Sequence, residues 1–141
     1  MNACAFIGHR NINNEIKENL SKAIEDLIRE KKVENFYFGN HGAFDFMVRD
    51  ILKELRSKYP QIRYNIVLAY IPAGKYEYED YINTIYPDGL EKVPLRFAII
   101  ERNKWMINNC DYLICYVKNT FSNASKFKEF AEKKGKIIIE L

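Results

Sequence analysis

Short apolar runs alternate along this chain with stretches in which apolar residues recur every three or four positions. Short apolar runs are typical of buried strands, and the wider spacing is typical of amphipathic helices. The runs lie at 3–7, 36–38, 66–71, 112–117 and 137–139, with helical patterns between them. This alternation predicts an α/β fold: a three-layer Rossmann-like sandwich with a mainly parallel sheet of about five strands.

The predicted helices have identifiable starts, ends and buried faces. Asn13 or Asn14 is placed to cap the first helix, because a short amide side chain accepts a hydrogen bond from the first turn. The second helix carries Phe46 and Met47 on the same face as further apolar residues, which predicts the side that packs on the sheet. The last helix is expected over 125–134.

Residues 73–94 lack a strong period of either kind and are rich in tyrosine. Pro87, Asp88 and Gly89 form a turn signal within them. A long segment without periodicity inside a compact domain is typical of a functional lid or of a surface for a partner. We therefore expect a single domain over residues 1–141, in which 73–94 form an irregular insertion with one of these two roles.

Composition restricts the partners that the chain can have. The net charge of +3 is small for a protein that follows a nucleic-acid backbone, so no nucleic-acid partner is expected. No stretch approaches the roughly 20 apolar residues that cross a bilayer, and the N-terminus lacks the pattern of a signal peptide. We therefore expect a cytoplasmic protein without a membrane partner. Three cysteines and two histidines without metal-ligand spacing predict neither a disulfide framework nor a metal site, and no cofactor is expected.

Three polar loops follow predicted strands. The first is Gly8-His9-Arg10, in which the glycine allows a close backbone approach and the two side chains offer donors to an anion. Alone, this tripeptide is also typical of an ordinary turn with a surface arginine. The other loops cover residues 39–45 and 118–126. Because the carboxyl ends of parallel strands share one edge of a sheet, the three loops together predict a ligand cleft.

The second loop runs from Gly39 through Asn40, His41 and Gly42 to Asp45, just before a helix. Backbone N–H groups at such a helix start suit a phosphate or a sugar hydroxyl. Asp45 would either bond a ribose hydroxyl or cap the helix, and His41 would either contact the ligand or occupy the turn. The sequence leaves both alternatives open.

The third loop is small and polar and runs into the last helix. Glu129 is expected in the first turn of that helix, where the helix dipole favours a carboxylate whether or not it has a catalytic role. Arg102 lies on the helix before the fourth strand. There it would either face a ligand or pair in solvent with a glutamate of its own helix.

Taken together, these segments resemble the SLOG superfamily of Rossmann-like nucleotide-binding proteins, which includes the LOG phosphoribohydrolases and YpsA-like members. The LOG glycine-rich loop after the second strand is similar to residues 39–42. The LOG arginine, four residues before a methionine, is similar to Arg102 with Met106. The LOG loop Pro-Gly-Gly-x-Gly-Thr-x-x-Glu aligns with residues 121–129, in which Glu129 matches the final glutamate.

The third loop also departs from the LOG pattern. Ser122, Asn123 and Ser125 replace its glycines, Lys126 replaces its threonine, and Ala124 occupies its variable position. Side chains there narrow the space in which a phosphate would rest against backbone, although the lysine supplies charge. Four segments are more similar to the YpsA-like branch than to the LOG enzymes: Gly8-His9-Arg10, residues 44–45, Arg96-Phe97 and residues 102–106.

The resemblance implies one enzymatic function, the hydrolysis of the N-glycosidic bond of a nucleoside 5′-monophosphate. Glu129 would stabilise an oxocarbenium-like ribose, and Arg102 would neutralise charge beside it. The backbone of residues 122–125 would hold the phosphate, aided by Lys126 or Arg10.

A sensor or binding protein is the first-ranked alternative, since the replaced glycines favour binding without cleavage. The same residues would then hold a nucleotide or a nucleotide-derived small molecule. A scaffold with a vestigial cleft is a third alternative. The resemblance further implies a homodimer, with Trp105 and the tyrosine-rich segment at its surface, unless Trp105 belongs to the core.

Overall fold

The computed structural model describes residues 2–9, 12–71, 83–118 and 121–141. Within these ranges the chain forms six strands and four α-helices, which largely alternate, and two short 3-10 helices. The elements are β1 (Ala3–Gly8), a 3-10 helix (Asn14–Ile16), α1 (Lys17–Lys31), β2 (Asn35–Phe38), α2 (Ala43–Lys58), β3 (Arg63–Val67), β4 (Thr84–Ile85), a 3-10 helix (Leu90–Lys92), α3 (Leu95–Asn108), β5 (Tyr112–Tyr116), α4 (Asn123–Lys133) and β6 (Ile137–Glu140).

The six strands form one parallel sheet in the order β4-β3-β2-β1-β5-β6. β1 lies near the centre, where Ala3 is opposite Asn35 of β2 and Cys4 is opposite Tyr112 of β5. β2, β3 and β4 follow one another on one side of β1, and β5 and β6 follow on the other side. The direction in which successive strands are added therefore reverses between β1 and β5. The carboxyl ends of these two strands are where a ligand crevice is expected in an open α/β sheet.

Apolar side chains cover both faces of the sheet. On one face, α1 and α2 pack against β-strand residues such as Phe6 and Phe36, which are at most 1% exposed. On the other face, α3 and α4 bury Ile7 and Leu113. Helices, sheet and helices thus form three layers, which confirms the predicted Rossmann-like α/β sandwich with a parallel sheet.

Two predictions about the strands are corrected. The sheet has six strands rather than about five, because Thr84–Ile85 form a two-residue strand, β4, against Ile66 and Val67 of β3. β4 lies within the segment 73–94 that was expected to be irregular, and residues 73–82 of that segment lie outside the described residues. β3 spans Arg63–Val67 and so begins before the apolar run at 66–71.

α2 packs on the sheet with most of the face that the sequence predicts, including Ile51, Leu52 and Leu55, but Phe46 is not part of it. Phe46 is 45% exposed, whereas Phe44 and Val48 are buried. A Cβ atom added at Gly8 would lie 2.6 Å from the ring of Phe44, so this ring occupies the space that a side chain at Gly8 would need. Because Gly8 has no side chain, there is room for the ring of Phe44 to face inward from α2.

The helix ends agree with the sequence in part. Asn13 is the cap of the first helical segment, and its side chain accepts a hydrogen bond from the Glu15 N–H at 3.0 Å. α4 begins at Asn123, two residues earlier than predicted, because the Ser122 hydroxyl caps it. Gly135 follows the end of α4 with a left-handed φ of 76°, which glycine adopts without strain.

All three cysteines, Cys4, Cys110 and Cys115, are buried and free. Burial raises the pKa of Cys110 and of Cys115 to about 11, so both thiols stay protonated near neutral pH. In the described part of the chain, no helix has the length and apolar character to cross a membrane.

Candidate functional site

A cavity of about 460 Å³ lies at the carboxyl end of β1. Its walls are the end of β1, the loop after β2 with the start of α2, one side of α3, and the first turn of α4. Elements from both halves of the sheet therefore meet in it. This is the edge of the sheet, beside the reversal of strand order, at which open α/β proteins hold their ligands.

The three loops singled out in the sequence all contribute to this cavity. Eight of the residues proposed to form a site line it: Gly8, His9, His41, Asp45, Arg102, Ser122, Asn123 and Ala124. Six others belong to the same loops or helices but do not line it: Gly39, Asn40, Gly42, Ser125, Lys126 and Glu129. Arg10 lies outside the described residues.

Gly39 lets two charged side chains approach the backbone behind the cavity. A Cβ atom at Gly39 would lie 2.5 Å from Arg102 Nη1 and 2.8 Å from Asp45 Oδ2. Both distances are shorter than a real Cβ contact allows, so the guanidinium and the carboxylate fill the space that a side chain would occupy. Gly39 thus shapes the cavity without lining it.

Arg102 is buried, not solvated, with 2% of its surface exposed. Its Nη1 donates to the backbone carbonyl of Val67 at the end of β3 (2.9 Å), and its Nε donates to Asn103 Oδ1 (2.8 Å). These bonds, with the neighbouring carboxylate of Asp45, compensate a charge that would be costly to bury alone. Arg102 therefore connects α3 to the ends of β2 and β3 and presents only part of its guanidinium to the cavity.

The loop after β2 is held by its own side chains. Asp45, in the first turn of α2, accepts a hydrogen bond from the His41 backbone N–H at 3.0 Å, so it supports the helix start and also lines the cavity. The His41 ring contacts Tyr70, with 3.0 Å between Nε2 and the tyrosine hydroxyl. Gly42 precedes the helix at a φ of 90°, a conformation that favours glycine. Asn40 Oδ1 is buried and has no hydrogen-bond partner among the described residues.

His9 joins the first loop to the third. Its Nε2 accepts a hydrogen bond from the backbone N–H of Lys118, which follows β5. The ring also meets Tyr116 edge-on, with 5.9 Å between the ring centroids. An acceptor at Nε2 requires that this nitrogen carry no proton, which fixes the proton of the neutral ring on Nδ1. His9 thus connects the carboxyl ends of β1 and β5, the two strands between which the strand order reverses.

The first turn of α4 faces the cavity. Ser122 Oγ accepts the Ser125 N–H at 3.2 Å, and Asn123 and Ala124 line the cavity wall. The amino end of an 11-residue helix carries a partial positive charge and backbone N–H donors. Together with His9, this end of the cavity is suited to an anionic group.

Glu129 and Lys126 lie away from the cavity. Both are exposed, and Glu129 is in the second turn of α4 rather than the first, because the helix begins earlier than predicted. The residue of this turn that reaches the cavity is Phe127. Arg102 lines the cavity and Glu129 does not, so the two residues to which the LOG resemblance gives catalytic roles do not face it together.

Sequence reasoning gave little weight to the wall that α3 contributes. Arg96, Ile99, Ile100 and Asn103 all line the cavity. Apolar and polar residues are distributed around all sides of α3, so its sequence pattern does not predict which residues face a cleft. Trp105, on the same helix, is half-buried and meets Tyr37 edge-on at 5.6 Å between centroids, so it packs beside the core of this face.

Comparisons with known proteins agree with this architecture. No protein-family model matches the chain, and no curated protein matches it in sequence. Among solved structures, it is similar to DNA processing protein A (DprA) from Streptococcus pneumoniae, with a TM-score of 0.72 and 18% sequence identity. The similarity covers 99% of this chain and 50% of that one, so the chain spans half the length of DprA. At this identity the similarity shows the fold alone. The chain has a Rossmann-like fold similar to that of DprA.

Proposed function

We propose that this chain binds a nucleotide or a nucleotide-derived small molecule in the cavity at the carboxyl end of β1, as a sensor or binding protein. The observation that supports this most directly is the composition of the cavity wall. The β5 side of the wall holds the amino end of α4 with His9, and the β2 side holds Asp45 with His41. A ligand with an anionic group and a polar, uncharged part fits such a wall.

The size and the apolar lining support the same proposal. Small-molecule sites commonly have volumes of about 300–1,000 Å³ and walls with an apolar part, and here apolar and polar residues line the cavity in about equal numbers. This cavity, at about 460 Å³, lies in that range, and Ile99, Ile100 and Phe127 supply apolar surface. A flat nucleobase would bury its faces against such side chains while its phosphate lies at the helix end.

Phosphoribohydrolase activity is the second candidate, and the geometry supports it less. The resemblance assigns the carboxylate that stabilises the reacting ribose to Glu129, and Glu129 is exposed and outside the cavity wall. Binding therefore ranks ahead of hydrolysis. The homodimer, the cytoplasmic location and the lid or partner role of 73–94 stay predictions.

The proposal is tested by calorimetric titration with 5′-monophosphates and diphosphates of the common nucleosides, ADP-ribose, and inorganic phosphate. At least one nucleotide should bind and raise the melting temperature. Chromatography of the same mixtures for released base separates a binder from a hydrolase. No binding by any of these compounds would refute the proposal.

A matched pair of variants locates the site. Arg96 is exposed, lines the cavity and stacks on Phe97, with 4.8 Å from Cζ to the ring centroid. Arg56 is exposed, stacks in the same way on Tyr64 at 5.8 Å, and lies far along α2. We expect Arg96→Ala to weaken nucleotide binding about 1.5- to fivefold, as for a partly screened ion pair. Arg56→Ala removes the same charge and should leave binding unchanged.

A further inference from the structure

Asp45 is the acidic side chain of the cavity wall; among the described lining residues no other carboxylate is present. Its position is fixed from two sides. Oδ2 accepts the His41 N–H at 3.0 Å, and the guanidinium of Arg102 lies beside it at Gly39. A carboxylate offers two oxygens with about four acceptor positions, so it can accept further donors from a ligand while these contacts stay in place.

The charges around Asp45 determine which kind of ligand group it can bind. A ligand anion is disfavoured next to a carboxylate, and it has a better place at the amino end of α4. A ligand cation is not required, because the buried Arg102 already compensates the charge of Asp45. What remains is a neutral group that donates hydrogen bonds.

We propose that Asp45 accepts hydrogen bonds from the ribose hydroxyls of the bound nucleotide, and that Arg102 is the positioning residue that holds the carboxylate for this purpose. This inference rests on the proposed function, because it assigns the sugar end of the same cavity. Two adjacent hydroxyls match two carboxylate oxygens. The ligand is then a ribonucleotide, whose phosphate lies at the amino end of α4, and 2′-deoxynucleotides are discriminated against.

The role assigned to Arg102 differs from charge neutralisation at the reacting bond. Its Nη1 is committed to the Val67 carbonyl at 2.9 Å and its Nε to Asn103 at 2.8 Å, and the residue is 2% exposed. A guanidinium bound in this way has little freedom to follow a ligand. The Arg102 guanidinium fixes the position of the Asp45 carboxylate, because both groups occupy the space beside Gly39.

The test compares ribonucleoside 5′-monophosphates with their 2′-deoxy counterparts by calorimetric titration. The wild-type protein should bind the ribonucleotide at least about tenfold more tightly, the usual effect of losing a hydrogen bond to a charged acceptor. Asp45→Asn keeps the shape and an oxygen for the His41 N–H but removes the charge, and it should reduce this preference to less than about threefold. Asp50→Asn removes a carboxylate that is 67% exposed on the same helix and should leave the preference unchanged.

Arg102→Lys tests the positioning role, because it keeps the charge and loses the planar fork. It should lower the affinity for the ribonucleotide by a larger factor than the affinity for the 2′-deoxynucleotide, whereas general damage to the cavity would lower both affinities by the same factor. Equal binding of ribo- and deoxynucleotides by the wild type overturns the inference and leaves the proposed function standing. An undiminished preference in Asp45→Asn overturns it as well. Failure of every nucleotide to bind refutes both.

Discussion

Replacing Gly39 with alanine should destabilise the protein through Arg102, a residue 63 positions away on another helix. The added Cβ would lie 2.5 Å from Nη1 and 2.6 Å from Cζ of the guanidinium. Comfortable contacts between such atoms are about 3.5–4.0 Å, so the guanidinium must retreat by about 1 Å. It cannot move into solvent without leaving its place in the core, because it is 2% exposed.

The magnitude follows from the bonds that this displacement strains. The hydrogen bond from Nη1 to the Val67 carbonyl is 2.9 Å long, and the one from Nε to Asn103 is 2.8 Å long. A hydrogen bond to a charged group contributes about 1.5–3 kcal/mol, and overpacking by one methyl group costs about 1–3 kcal/mol. We expect a loss of about 2–4 kcal/mol in the free energy of unfolding. Against a typical total of about 5–15 kcal/mol, such a loss is easily measured.

The assay is urea unfolding followed by circular dichroism, applied to a double-mutant cycle. Arg102→Ala alone should cost about 3–5 kcal/mol, because it removes the donor to the Val67 carbonyl and the cation beside the half-buried Asp45 carboxylate. Adding Gly39→Ala to that variant should cost less than about 1 kcal/mol, because the obstructing side chain is gone and Asp45 can shift.

Gly89→Ala is the matched control. Gly89 has a φ of 85° and open space around its Cβ position, so alanine there measures backbone strain without a clash. Its cost, about 1–2 kcal/mol, should be the same with or without Arg102. If Gly39→Ala costs no more than Gly89→Ala, or if its cost persists after Arg102→Ala, the close packing inferred at Gly39 is refuted.

Two further predictions concern α4 and the thiols. Ser122→Ala removes the cap that accepts the Ser125 N–H at 3.2 Å and should lower the free energy of unfolding in urea by about 0.5–2 kcal/mol. Ser57→Ala, at an exposed position inside α2, should cost almost nothing. Equal costs for the two variants would contradict the capping role of Ser122. Because burial raises the pKa of Cys110 and Cys115 to about 11 in the folded protein from about 9, the unfolded state ionises first and stability should fall as pH rises from about 9 to 11. Ellman's reagent should leave all three thiols unmodified in the native protein at pH 8 and modify them in urea, and rapid native modification would refute their burial.

The sequence predicts most of the fold because most elements carry their own periodicity. Runs such as 112–117 match β5 to within a residue, since a strand buried on both faces is apolar throughout. β4 carries no such signal: it has two residues, Thr84 and Ile85, and exists because β3 offers them a partner. A pairing between distant segments leaves no local pattern to read.

The site is predicted less completely, for the same reason. Loop residues such as His9 and Asp45 could be placed at one edge because parallel strands end together. The position of Arg102 depends on Gly39 and Val67, which approach it only in the folded chain. The direction of Glu129 depends on where α4 begins, and an error of two residues there turns a side chain by about 200° around the helix axis.

The central position of β1 also determines the order in which the parts of the molecule can assemble. β1, β2 and β3 pair with neighbours in sequence and share one apolar cluster with α1 and α2, so they can form as soon as they leave the ribosome. The other edge of β1 waits for β5, and the bond from the Ala3 N–H to the Asp111 carboxylate spans 108 residues. Closing so long a loop is the slow, entropically costly step. The cavity has walls on both sides of the junction between β1 and β5. It therefore forms only when β5 pairs with β1. A ligand would therefore not bind the N-terminal half of a chain still in synthesis. It would bind the completed chain and stabilise its native state.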